Sequence, residues 1–381
     1  MASLGRQLVC IACRNNASII SGALSRGQLI TRQSRGLTLS LSRGKRFTES
    51  KFIGFKVPPR QPITDLVTHS SIYDGPDPAP AFLDPRVQTI LQRLTGCDHE
   101  KVFRHRKIRY IKPPTYVFMT DLELKKVTDE ATRKAASLLI MPPVLSVKKD
   151  ATVVLDKDPA IKGHYKSKFV FTDISLGVPD NKRLIVTRET DGTLREANTD
   201  ERRRMNEIYN PRYGRSIVLP ELFSAARLKD VLAQGEYEFV LDKTCMQLEP
   251  DEALFQSVIA TTYDAIDEQQ HYDVLLSTRY YGTMLFYFVW HKRADAIIVD
   301  MIDKDRMTAA GEIVTLFMLI HPTSGTATAA AGLEQPLQLV QKYIAEDCAD
   351  KSGLELMLLR HEELQRNKRQ FSDGAIAAHG L

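Results

Sequence analysis

The densest chemistry in this sequence lies between Lys101 and Tyr116, which reads KVFRHRKIRYIKPPTY. Lys101, Arg104, Arg106, Lys107, Arg109 and Lys112 follow one another there with no acid between Glu100 and Asp121. Phe103, His105, Tyr110 and Tyr116 are interleaved with them. Clustered cations neutralise phosphates and release condensed counterions, and aromatic faces stack on unpaired bases for about 1–3 kcal/mol each. The run is therefore a candidate RNA contact; the alternative is a solvated basic strand or loop with Phe103 and Tyr110 turned into a core. A second candidate is Arg212-Tyr213-Gly214-Arg215, placed in a loop by Pro211. Weaker clusters are Lys162, His164, Lys166 and Lys168; Arg202 to Arg204; and Arg366, Lys368 and Arg369. Glu201 and Glu207 flank Arg202 to Arg204 on a predicted helix, so intrahelical ion pairs account for that cluster first.

Catalytic and metal-binding patterns are missing. The sequence has no GxxxxGK, no GxGxxG after a strand, no HExxH and no GxSxG. His361-Glu362-Glu363 lacks the second His of a zinc helix, and Cys97 with His99 does not make a zinc site alone. Asp264 and Asp267 fall on a predicted exposed helix face, where solvated charge is the ordinary explanation. No catalytic, cofactor or metal residue is assigned, and no small-molecule substrate is expected. Five cysteines are too few and too scattered for a disulfide framework. The CxxC of Cys10 and Cys13 reads as chance, while Cys97, Cys245 and Cys348 are expected as free thiols buried like small apolar groups.

The charge distribution divides the chain. From Met1 to Thr48 there is no Asp or Glu, and eight cations are spaced among Leu, Ile, Ser and Ala. An Arg-rich, Ser-rich, acid-free N-terminus of this kind predicts a mitochondrial transit peptide, with cleavage near Arg46 to Ser50. The whole chain carries +5, so the remainder carries −3. Any nucleic-acid contact of the mature chain must then rest on local clusters and not on bulk charge. The most apolar stretch, Tyr280 to Trp290, is too short to span a bilayer, so no membrane partner is expected.

The elements that would position these residues can be placed by punctuation and period. Residues 49–80 end in Asp74-Gly75-Pro76-Asp77-Pro78-Ala79-Pro80 and predict an extended arm. Residues 81–145 predict a helical region carrying the basic run. Asp84-Pro85 opens one helix, with Val87, Ile90, Leu91 and Leu94 on one face and Gly96 at its end. Thr120 or Asp121 caps another, with Leu122, Leu124, Val127, Ala131, Ala135 and Leu138 on broadly one side, stopped by Pro142-Pro143. Residues 146–218 turn to short β-branched and aromatic runs, with Asp191-Gly192 as a hairpin signal and Asn198 with Glu201 as a capping box. Residues 219–370 read as successive helices: a heavily apolar one from Tyr272 to Trp290, with Gly282 admitting a close neighbour, and others through Leu358. Arg366 begins a basic turn, and 371–381 a flexible tail. The fold class is α+β, mainly helical, with a small antiparallel β region in the middle and a C-terminal helical bundle or solenoid-like array.

Several blocks resemble a known family. They are Phe82-Leu83-Asp84 leading into Val87 to Gly96; Lys112-Pro113-Pro114-Thr115-Tyr116 with Met119-Thr120; Met141-Pro142-Pro143-Val144-Leu145; Phe169 to Ser175; Gly192-Thr193-Leu194-Arg195; and Tyr272 to Val289. In order from about residue 82 to 322, they are similar to the mitochondrial small ribosomal subunit protein twenty-two family. The resemblance implies a non-catalytic constituent of that subunit in the mitochondrial matrix. It implies contact with the subunit's ribosomal RNA and with neighbouring ribosomal proteins, and it brings no catalytic or RNA-contact motif. The other readings are a helical-repeat RNA-binding or assembly factor of the matrix, and an enzyme using a cleft beside the β region.

Overall fold

The computed structural model describes residues 8–12, 65–69, 76–104, 116–147, 153–162, 166–216, 218–329, 332–333 and 335–379. They fall into two compact units. A sheet unit contains residues 150–212 and the N-terminal stretch through Pro62; a helical unit contains 63–149 and 213–381.

The helical unit begins with α1 (Ala79–Leu83), α2 (Pro85–Thr95), α3 (His99–Val102) and α4 (Asp121–Leu138). The Asp84 carboxylate accepts the Arg86 N–H at 2.9 Å, Pro85 sits where no donor is lost, and Gly96 ends α2 at φ 65. Thr120 and Glu123 form a capping box on α4, the Thr120 N–H donating to the Glu123 carboxylate at 2.9 Å.

In the sheet unit, β1 (Leu8–Ala12), β2 (Val154–Lys157), β3 (Phe169–Asp173), β4 (Ile185–Arg188) and β5 (Thr193–Glu196) form an antiparallel sheet in the order β1-β3-β4-β5-β2. The hairpin signal Asp191-Gly192 joins β4 to β5. Gly192 has φ 85, and a Cβ there would come within 2.0 Å of the Asp158 carbonyl oxygen, so two constraints demand glycine. α5 (Thr199–Tyr209) opens with the expected Asn198–Glu201 capping box and lays Met205 against Val170 and Ile185. Polar stitching surrounds that small core. Arg195 bonds Glu189 at 2.7 Å and Glu201 at 3.0 Å, while Lys168 reaches Glu201 at 2.6 Å. Burial opposes the charge on Glu201, but Arg195, Lys168 and the Asn198 N–H hold its carboxyl down at about 2.

The rest of the helical unit comprises α6 (Ala225–Ala233), α7 (Tyr237–Gln247), α8 (Ala253–Gln269), α9 (Tyr281–Trp290), α10 (Asp295–Asp303), α11 (Met307–Ile320), α12 (Gly325–Ala329), α13 (Pro336–Glu346) and α14 (Lys351–His379). α9 is the centre: every residue from Tyr281 to Val289 is buried. Phe82 meets Phe286 edge-on at 5.2 Å, and Phe286 stacks on Trp290 at 5.7 Å. Gly282 admits the close neighbour expected of it: a Cβ there would lie 2.2 Å from Met141 Sδ and 3.4 Å from Leu91 Cβ.

Some expectations need correction. Tyr272 to Trp290 is not one helix. Tyr272–Leu275 is a 3-10 turn, and Ser277 then takes φ 57 while its N–H donates to the Thr95 carbonyl at 3.0 Å. A tertiary bond thus overrides a continuous apolar pattern. Arg366 lies within α14, not in a turn. Residues 81–145 and 219–370 share one unit because the apolar face of α2 packs on α9. α2 also meets α11, and α10 meets α14. Solenoid repeats touch only their sequence neighbours, so this arrangement is a bundle. Cys348 is buried as expected, Cys245 is half-buried, and Cys97 is exposed. Among the described residues no helix is long and apolar enough to cross a membrane.

Candidate nucleic-acid interface

Lys101 and Arg104 stand at the start of the basic run, and local bonds fix where. The Asp98 carboxylate caps α3 by accepting the Glu100 N–H at 3.0 Å, and the Asp98 N–H donates to Ser277 Oγ at 3.1 Å. That interlock aims Lys101 at the 3-10 turn. Its Nζ donates to the carbonyls of Asp273 at 3.2 Å and Val274 at 2.7 Å. Burial pulls the Lys101 ammonium below its usual range, against the attraction of Glu238 and Asp273. Lys101 is thus committed to the fold. Arg104 is exposed, and Phe103 is half-buried with its ring against His99 at 5.9 Å. Tyr116, at the far end of the run, is 90% exposed. Arg106, Lys107, Arg109, Tyr110 and Lys112 lie outside the described residues, as does His105.

A groove of about 600 Å³ adjoins this start, lined in part by Arg104, Arg279, Glu238 and Asp242. Its charges are mixed. Arg279 pairs with Asp242 at 3.1 Å, and Tyr280 donates its hydroxyl to the same carboxylate at 2.6 Å. Burial drives the Tyr280 phenol upward, so it remains a donor. With carboxylates inside it, the groove is no phosphate cradle; the cation that faces outward is Arg104.

The second candidate separates into individual roles. Arg212, within the sheet unit, pairs with Asp180 at 2.7 Å. Tyr213 is 96% exposed. Arg215 is half-buried with its side chain only 5% exposed, bonded to Glu249 at 2.7 Å and to the Met246 carbonyl at 3.3 Å. Gly214 beside it has φ 87, with space for no Cβ against Met246 Sδ at 2.3 Å. Arg215 therefore clamps its loop to the end of α7, its guanidinium engaged by a carboxylate.

The weaker clusters divide similarly. Lys168 binds Glu201, Arg203 lies 3.8 Å from Glu207 one turn on, and Arg202 donates to the Arg183 carbonyl at 2.8 Å. Lys162, Lys166, Arg204, Arg366 and Arg369 are exposed, and Lys368 reaches Asp305 at 2.6 Å. His164 lies outside the described residues.

The carboxylate pair Asp264 and Asp267 is not a solvated face. Arg293 forks across both, at 2.7 Å and 2.6 Å, while Tyr287 and Tyr272 donate their hydroxyls and His69 stands 2.9 Å from Asp264. The bonds join α8 to the turn after α9, an arrangement whose work is structural. Among the described residues no three His, Cys, Asp or Glu side chains group as a metal set.

Sequence reasoning missed one surface. The face of α4 expected to be core holds only Ala135 in burial; Leu122, Leu124, Val127 and Leu138 are exposed, as is Phe118 just before it. Periodicity announces an apolar face but not what covers it, so no signal in this chain distinguished the two outcomes.

Comparison with known proteins bears on the whole arrangement. Residues 80–322 match the model of the family described as Mitochondrial 28S ribosomal protein S22. The chain is 37% identical over 286 residues to the small ribosomal subunit protein mS22 of Mus musculus, covering 75% of this chain and 79% of the relative. It is likewise 37% identical over 285 residues to small ribosomal subunit protein mS22 of Bos taurus, covering 74% and 79%.

Proposed function

Since the chain belongs to the mitochondrial 28S ribosomal protein S22 family, we propose that it works by surface fit within a ribonucleoprotein particle, its basic run against RNA, with no bond made or broken. It is a structural constituent of the mitochondrial small ribosomal subunit, resides in the mitochondrion, and associates with that subunit's RNA and proteins. The observation that carries this conclusion is the match across residues 80–322, which takes in the helical unit from α2 to α11 and strands β2 to β5.

The finer assignment concerns which side chains meet RNA. Arg104, Arg106, Lys107, Arg109 and Lys112 supply phosphate neutralisation, and Tyr110 supplies a stacking face. Arg212 and Tyr213 make a secondary contact, in which Asp180 orients the Arg212 guanidinium. Lys101 and Arg215 hold the backbone that presents these groups and touch no RNA themselves. Import into the matrix removes the acid-free segment near Arg46 to Ser50, and β1 goes with it, leaving β2 to β5 in the mature chain. The excess positive charge of the precursor lies wholly in that removed segment, so only local clusters draw the mature chain to phosphate.

Reversing Arg104, Arg106 and Arg109 to Glu tests the assignment. Incorporation into the small subunit is expected to fall at least tenfold while the isolated variant melts like the wild type. Normal incorporation of the triple variant would show the run to be a solvated face.

A further inference from the structure

α4 is built as a core helix yet has little core of its own. Leu124, Val127, Ala131, Ala135 and Leu138 recur at steps of three and four residues, which places them on one narrow stripe. Leu124 is 56% exposed, Val127 46% and Leu138 49%, whereas Ala135 alone is buried. The stripe runs about 21 Å, from its fourteen-residue span at about 1.5 Å per residue. Helices of this length draw their stability from packing an amphipathic face, so an uncovered stripe on a capped helix is an unfinished contact.

We infer that this stripe seats an amphipathic helix of a neighbouring protein in the small subunit. The inference rests on the reading of the chain as a constituent of that particle. Two observations choose the occupant. First, α4 carries four acids and four bases, so it sums to zero and gives polyphosphate no electrostatic reason to bind. The basic run immediately before it has six cations and no acid. RNA attraction and apolar docking are thus segregated along one stretch of chain. Second, the three–four spacing is the pattern that another helix reads, knob into hole. Two grooves adjoin the C-terminal part of α4. One, of about 460 Å³, is lined in part by Thr132, Ala136, Ile140 and Gln92; the other, of about 600 Å³, by Leu138, Leu139 and Phe103. They leave space for side chains of an incoming helix. The partner's matching face is apolar at the same spacing, with both charge signs along its margins.

The full chain, carrying p-benzoylphenylalanine in place of Val127 and imported into mitochondria, provides the test. Irradiation of purified small subunits is expected to crosslink it to a helical segment of one other small-subunit protein. The double substitution Leu124→Asp with Val127→Asp is expected to lower incorporation at least tenfold without changing the melting of the isolated chain. Both side chains are exposed in the isolated chain, so their replacement takes little buried volume from the fold and α4 survives the change. Lys126→Glu with Arg133→Glu, on the opposite face, is expected to incorporate normally. Crosslinking to RNA, to this chain or to a second copy, or wild-type incorporation of the Asp variant, overturns the inference. Absence of the unsubstituted chain from small subunits would instead refute the functional reading beneath it.

Discussion

In the helical unit, α9 is buried at every position from Tyr281 to Val289; its rings lock into those of Phe82 and Tyr272, and its own Phe286 stacks on Trp290. In the sheet unit, Val170, Ile185 and Met205 form a small buried apolar cluster, and Glu201 gathers Arg195, Lys168 and Thr187 around it. The larger unit therefore depends on volume and close packing, the smaller on a set of charge-assisted bonds. The contrast teaches that a small insertion lacking apolar bulk can be fixed by polar satisfaction, and that the two units should fail under different stresses.

The strongest way to break the contrast is through volume. Phe288→Ala is expected to destabilise the helical unit by about 3–5 kcal/mol, read from Trp290 fluorescence during denaturant unfolding. A loss below about 1 kcal/mol would show that the core collapses around the cavity and is not tightly packed. Next, Glu201→Gln is expected to destabilise the sheet unit by about 1.5–3 kcal/mol, the usual scale for bonds to a charged group, as faster amide exchange along β4 and β5. Unchanged exchange would mean the ion cluster adds nothing beyond the apolar contacts.

pH sharpens the same comparison, with opposite signs in the two units. Glu201 titrates at about 2 against 4.5 when unperturbed, so its contribution is full above about 4.5 and disappears as pH falls toward 2. In the helical unit, burial raises the phenols of Tyr272, Tyr280, Tyr281, Tyr287 and Tyr343. Those groups stay neutral when folded but ionise in the unfolded chain above about 10, so their contribution holds below that pH and is lost as pH rises. Acid is expected to open the sheet unit first, and alkali the helical unit first; amide exchange followed by peptide at each pH distinguishes them. The smallest effect belongs to Arg227→Ala. Its 3.9 Å approach to Asp230, with both side chains exposed, predicts a cost of about 0.5 kcal/mol or less, measured as a shift in urea midpoint.

What could be read from residues alone follows the range of the interaction. Caps and turns are local, so Asp84-Pro85, the cap expected at Thr120 or Asp121, Asp191-Gly192 and Asn198 with Glu201 all emerged where spacing placed them. The break at Ser277 was hidden because its cause lies at Thr95, far off in sequence. The union of α2 with α9 was hidden for the same reason, although Gly282 hinted at a close approach. At the candidate interface, charge density identified the basic run, but only tertiary partners revealed that Lys101 serves two carbonyls and Arg215 serves Glu249. Asp264 and Asp267 resembled solvated acids until Arg293, three turns of helix and a loop away, closed over them.

The central claim is that this chain is a structural constituent of the mitochondrial small ribosomal subunit, one of its units held by apolar packing and the other by charge-assisted bonds. Its most direct test is the molar ratio of the chain to small-subunit RNA across a sucrose gradient of mitochondrial ribosomes. The account predicts one copy per mature small subunit, retained through moderate salt. Recovery only with precursor particles, or as free protein at the top of the gradient, would contradict it.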